Sequence, residues 1–142
     1  MKGRYHMTKL KRKTFNIVKF AAIFKGGGLA YGALEMIFRG RTHWTMMLAG
    51  GACSVLLYLI AVKSREALWK KWIMSGVVIT TIEFLTGIIV NIVLGWNVWS
   101  YTNDWGNLFG QICLLFSLLW VGLSIPGIWL MKVIGHRVFK EG

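Results

Sequence analysis

The chain has 142 residues, enough for one domain, and 56% of them are hydrophobic and 14% aromatic, with a single proline. The apolar residues come in long runs rather than stripes, so these segments have no polar face to meet water, which excludes an ordinary soluble domain. A net charge of +12 would suit nucleic acid, but the basic residues cluster in the segments flanking the apolar runs, as in membrane proteins, and we assign no nucleic-acid partner.

Residues 1–14 (MKGRYHMTKLKRKT, with His6) are polar and basic and read as a cytoplasmic arm drawn to anionic lipid headgroups. No small-residue cleavage site follows a short apolar core, so the next segment reads as a retained span rather than a signal peptide. It turns apolar at Phe15, but Lys19 and Lys25 interrupt it. Either a continuous helix starts near Phe15, with both lysines extending back to the inner interface, or residues 8–25 lie on the surface and the span runs from Gly26 to Trp44. The continuous helix is preferred, with Lys25 near the inner boundary and Gly26–Gly28 admitting a neighbouring backbone.

A second span is expected over Thr45–Val62, with a small Gly50-Gly51-Ala52 face. The basic loop Lys63–Lys71 follows, then a third span over Trp72–Leu94 and a fourth over Asn107–Met131, kinked by Pro126. The fold class is therefore all-α integral membrane, with four transmembrane helices in a domain over 15–135 and a tail over 136–142. The arm, the Lys63–Lys71 loop and the tail (Lys132, Arg137, Lys140) share one basic side, which places both termini in the cytoplasm; Arg39 and Arg41 are the exceptions. Trp69 and Trp72 then mark the inner interface, and Trp44, Trp96, Trp99 and Trp105 the outer one.

Short matches hint at a duplicated two-helix unit, with chance similarity between apolar stretches as the alternative. Glu35-Met-Ile-Phe echoes Glu83-Phe-Leu-Thr, and Leu48-Ala-Gly-Gly-Ala-Cys53 echoes Leu108-Phe-Gly-Gln-Ile-Cys113. The extra residues of the second unit would fall in its aromatic loop.

Glu35 and Glu83 are the foremost candidates for chemistry, each expected near mid-span. A carboxylate at that depth is costly unless protonated, paired or set in a polar cavity. Thr80 and Thr86 flank Glu83 on one helix face, and Arg39 is placed to pair with Glu35. The structural alternative is a local Glu35–Arg39 pair, with Glu83 hydrogen-bonded to a Thr or backbone group in a neighbouring helix. The loop Gly95–Gly106, with Trp96, Trp99, Tyr101 and Trp105, reads either as an interfacial anchor or as a re-entrant ligand-binding loop. Asn107, Gln111 and Ser117 would form a polar ladder on the fourth span, with ordinary helix–helix hydrogen bonding as the alternative. Cys53 and Cys113 lie inside apolar runs without metal-like spacing and read as small hydrophobes. His43 and His136 join no nucleophile-like pattern, no phosphate-loop lysine follows Gly26-Gly27-Gly28, and neither an enzyme nor a cofactor or metal is expected.

The stretch Thr81–Trp120 resembles the small membrane permeases of the ABC-transporter type IV, or CmpB-like, family. The likeness rests on Glu83-Phe-Leu-Thr-Gly87, then Trp96 and Trp99-Ser-Tyr101, then Asn107-Leu-Phe-Gly-Gln-Ile-Cys-Leu114 and Phe116-Ser-Leu-Leu-Trp120. Tyr31-Gly-Ala-Leu-Glu35 and the Gly50 region extend it upstream. Ser100 departs from the family's acidic residue between Trp and Tyr. The resemblance implies a bacterial inner-membrane protein with a permease role. Transport would use Glu35, Glu83, Thr86, Trp99, Tyr101, Asn107 and Gln111 around an internal polar cavity that handles an ion or small solute. Expected partners are membrane lipid, further copies of the chain or other membrane subunits, and a separate ATPase for any energy coupling. The competing reading is a non-transporting assembly or lipid-interacting protein that uses the aromatic loop.

Overall fold

The computed structural model describes residues 8–141, so residues 1–7 of the basic arm, His6 among them, lie outside the described residues. Long apolar stretches satisfy their backbone groups internally as helices, the economical solution in lipid. Four result: α1 (Lys9–Arg39), α2 (Trp44–Lys63), α3 (Leu68–Gly87) and α4 (Leu114–Arg137), with α3 continued by a π-helical segment, Ile88–Val93. Each is long and apolar enough to cross a membrane, counting the π segment with α3. Large apolar side chains face outward along them, Ile37 and Phe38 at 75% and 82% exposure, as lipid contact requires.

The helix ends are set locally. Thr8 caps α1 by accepting from the Lys11 N–H at 3.4 Å. Gly40, at φ 69°, ends it with a left-handed turn whose N–H reaches Met36 O. Four residues later α2 begins, with His43 Nδ1 accepting from Thr45 N at 3.3 Å. Helix α1 starts earlier than expected, because Lys9–Thr14 continues the helix. At 31 residues it spans roughly 46 Å, more than the ~30 Å hydrocarbon core, so its basic end can project beyond the lipid.

Small residues join α1 to α2. A Cβ on Gly28 would stand 2.6 Å from Met47 O, and one on Gly51 would stand 2.7 Å from Phe24 O, so each backbone rests on the other helix. Close packing then runs from α2 to α3 and α4, and from α3 to α4. Helices α1 and α4 have no comparable contact, and a groove opens between them. At the end of the bundle where α1 begins and α4 ends, Ile23, Leu57, Tyr58, Ala61, Ile128 and Met131 form a buried cluster.

The expected fourth span needs correction. Asn107–Cys113 is turns, pinched by a bridge between Leu108 and Ile112, and α4 begins only at Leu114. Phe109 (φ 51°) and Gly110 (φ 68°) adopt left-handed conformations there, which no helix tolerates. The polar ladder therefore does not exist: Asn107 and Gln111 belong to the loop, and Ser117, in the first turn of α4, bonds back to the O of its cap residue Cys113. The second repeat match fails for the same reason, since Gly50 and Cys53 lie inside α2 whereas Gly110 and Cys113 precede α4. Lys19 is buried against Glu141, which also lies beside Lys63 at the end of α2. Helix α4 runs through Pro126 as one element.

Candidate functional site

The loop Leu94–Cys113 folds back into the bundle. Trp99, Gln111 and Cys113 are buried, while Trp96 and Trp105 stay exposed, so Trp99 is not the interfacial ring expected of it. Asn91, in the π segment, holds the loop: its Nδ2 donates to Gln111 Oε1 at 2.8 Å and its Oδ1 accepts from Val98 N at 2.7 Å. Trp99 Nε1 donates to Gln111 O at 3.1 Å. Gly87 gives this layer room, since a Cβ there would meet Gln111 Oε1 at 2.6 Å. Asn107 works within the exposed part of the loop, donating to Asp104 O at 2.9 Å. π-helical turns widen a helix locally and often accompany functional sites.

This fold-back delivers Tyr101 to Glu83. The phenol donates to Glu83 Oε1 at 2.7 Å, and Trp120 of α4 donates its indole N–H to Oε2 at 2.9 Å. Glu83 is buried, and among the described residues it has no ion-pair partner. Tyr31 of α1 packs on Trp120 with ring centroids 6.2 Å apart. Thr86 is half-buried one turn along α3 but makes no bond to the acid, and the Thr80 hydroxyl is buried without a partner among the described residues.

Glu35 sits elsewhere. It lies one turn before the end of α1, not at mid-span, and is bonded by Arg39 Nη1 at 3.1 Å, Thr42 Oγ1 at 2.9 Å and, at the long limit of 3.5 Å, Tyr31 OH. Of the local alternatives raised for the acids, the Glu35–Arg39 pair is present, whereas Glu83 bonds to the Tyr101 and Trp120 side chains rather than to a Thr or backbone group of a neighbouring helix. The two acids border different hollows. Glu35 lines a small polar one of about 180 Å³ with Arg41, His43 and Asn97. Glu83 lines the groove between α1 and α4, about 550 Å³, whose wall is almost wholly apolar (Gly26, Ala30, Leu57, Leu123 and Leu130 among others). The expected shared polar cavity is therefore replaced by an apolar groove with one acid on its wall.

At the terminal end Val138 and Phe139 close the groove. Glu141 fastens them, accepting from Lys19 and Tyr58, with Lys63 Nζ at 3.7 Å. Burial works against the charged Glu141 carboxylate, but the bonds from Lys19 and Tyr58 and the charges of Lys19 and Lys63 outweigh it and hold the group below the usual carboxylate range. The Lys19 ammonium also lies 5.0 Å from the Phe20 ring centroid and 5.9 Å from that of Phe139.

The sequence profile described as "Putative ABC-transporter type IV" matches residues 14–141, nearly the whole described chain. The chain belongs to this family. No curated protein and no solved structure matches it. The match runs through every helix, so both acids, the folded-back loop and the groove lie inside the family's own extent.

Among the sequence-predicted residues, Glu83 meets Tyr101 directly, and Trp99 and Gln111 support them from one layer away, while Glu35, Thr86 and Asn107 lie apart from that contact. Sequence reasoning missed Trp120, Tyr31 and Asn91 as functional positions. The available signals were a ring N–H in an apolar run, a phenol one helical turn before an acid, and an asparagine in a span. Each is a polar group that needs a partner once buried.

Proposed function

We propose that this protein is a small permease-like membrane subunit whose cargo site is the groove between α1 and α4, with Glu83 as the group that engages the cargo. The observation that carries this reading is the setting of Glu83. It is buried deep within a span, held by two neutral donors and set on the wall of a drug-sized hollow. The tyrosine and tryptophan donors bring no positive charge of their own, so an ionised Glu83 keeps its charge for a cargo to engage. We further assign the chain to a bacterial inner membrane with both termini cytoplasmic, acting as an oligomer or beside other subunits, with an ATPase on a separate chain for any energy coupling.

The test is uptake of a panel of ions and small organic solutes into proteoliposomes. Glu83→Gln should abolish flux while the amount of folded protein is unchanged. Loss of folded protein in place of flux would show that Glu83 is structural glue. The mass of the complex from native membranes decides the partners: an ATPase in fixed ratio supports driven transport, and a homo-oligomer with bound lipid removes it. A second reading, lipid contact without transport, rests on the exposed rings of Trp96 and Trp105. It requires lipid co-purification to fall when both are changed to Ala.

A further inference from the structure

We propose that the groove takes a lipophilic organic cation, with its charge at Glu83 and its apolar body between α1 and α4. This rests on the groove being the cargo site and narrows what the cargo is. The chemistry of the wall makes the selection. Each Glu83 oxygen accepts one hydrogen bond, from Tyr101 or Trp120, whereas a carboxylate has about four acceptor positions. Trp120 Nε1–H can only donate, so Oε2 is an acceptor, and when the acid ionises its charge stands in apolar surroundings that a ligand cation would neutralise. Tyr31 and Trp120 line the groove beside the acid with their rings tilted 43° to one another, and aromatic faces attract a desolvated cation.

Other cargo classes fit less well. A hydrated metal ion needs roughly six oxygen ligands. The groove offers one carboxylate, the Tyr31 hydroxyl and Ser54, whose hydroxyl already donates to Gly50 O at 2.8 Å. An anion would meet Glu83 with like charge. A polar neutral solute would leave its own groups unbonded along the Leu57, Leu123 and Leu130 wall. An apolar body with a single diffuse positive charge satisfies both the wall and the acid.

The experiment uses two probes of the same shape and opposite charge, tetraphenylphosphonium and tetraphenylborate, titrated against the full chain in mild detergent. The phosphonium should bind saturably and the borate should not. Glu83→Gln should weaken phosphonium binding about tenfold or more, the size of losing a charge contact in a desolvated site. Ala30→Trp, which fills the groove and leaves Glu83 in place, should weaken it as well, and this variant decides the matter if Glu83→Gln does not fold. The surface control Glu66→Gln should bind as the parent does. Equal affinity for both ions would overturn the proposal, because the groove would then recognise only apolar bulk, as a lipid chain would. Phosphonium binding unchanged in both groove variants would overturn it too. Binding is read without flux, so the two readings separate. A bound cation that is never transported keeps this inference and removes the permease role, and transport of another solute without cation binding does the reverse.

Discussion

Glu35 and Glu83 occupy odd-numbered helices of two hairpins, yet the bundle treats them oppositely. Glu35 lies about 6 Å along the axis from the last residue of α1, close enough for Arg39 and Thr42 to reach it from the helix end and the following turn. Glu83 lies roughly 15 Å before the end of the π segment at Val93, and among the described residues no basic side chain pairs with it. One acid is compensated by charge and the other by dipoles. Only the second borders the large groove. Depth therefore decides which compensation is available. Near a helix end an arginine keeps much of its hydration, whereas deep in the bundle only groups that cost little to bury can serve as partners.

The largest expected effect tests this contrast directly. Glu83→Ala leaves the Tyr101 O–H and Trp120 N–H without an acceptor inside the bundle, and it should cost about 2–6 kcal/mol, the sum of two orphaned buried donors. Glu35→Ala leaves Arg39 and Thr42, both of which are exposed, and should cost clearly less. Thermal unfolding of both variants in one detergent checks this, and equal losses would mean that the two acids are held alike after all.

Next comes the device that brings Tyr101 to Glu83. Asn91→Leu removes the acceptor of Val98 N and the donor to Gln111 Oε1. It should cost about 1–3 kcal/mol and loosen the loop. Hydrogen exchange at Trp99–Tyr101 should rise while that at Gly40–His43 stays unchanged. If both loops respond together, the fold-back is not what separates the two regions.

Much of the fold was legible because lipid imposes a coarse rule. Uninterrupted apolar length predicts a spanning helix, and α2 was read to within a residue at each end. The site was less legible, because a hydropathy count cannot tell a helix from an irregular segment that is buried in protein. Asn107–Cys113 has the composition of a span, but Phe109 and Gly110 turn the chain into the loop that packs on Gly87. The depth of Glu35 was misjudged for a related reason. Hydropathy alone carries that span on to Trp44, whereas Gly40 ends the helix. The pairing of Glu83 with Trp120 joins helices through space, and sequence spacing holds no record of it.

A smaller effect is expected from Arg39→Gln, which turns Glu35 into an acid held by neutral donors alone, as Glu83 is. Arg39 is 39% exposed, so the pair is partly screened and its loss should cost within about 1 kcal/mol. Chemical denaturation in detergent measures this. A loss several times larger would mean that the Glu35 region is as dry as the groove.

The smallest expected effect concerns Glu141, the acid at the opposite end of the groove, which resembles Glu35 in having cationic partners. Its folded-state pKa lies below the ordinary value of 4.5, because the bonds and charges of Lys19, Tyr58 and Lys63 outweigh the effect of burial. The unfolded chain therefore binds this proton more readily than the folded one. The stabilisation from Glu141 is fully present above the ordinary value and is lost as pH falls through the depressed one. The other acids contribute their own pH dependence, so the informative quantity is the difference between the parent and Glu141→Gln, followed from about pH 7 to about pH 3. That difference should be largest near neutrality and shrink in acid. Because Val138 and Phe139 close the groove beside this contact, Glu141→Gln should also let the tail lift, seen as faster exchange of the Glu141 amide that now bonds to Gly135 O. A pH-independent difference would mean that the tail is held by the Phe139 ring against Phe15 and Tyr58 rather than by its charge, and that the terminal end of the groove, like the Glu83 end, is shaped by aromatic contacts.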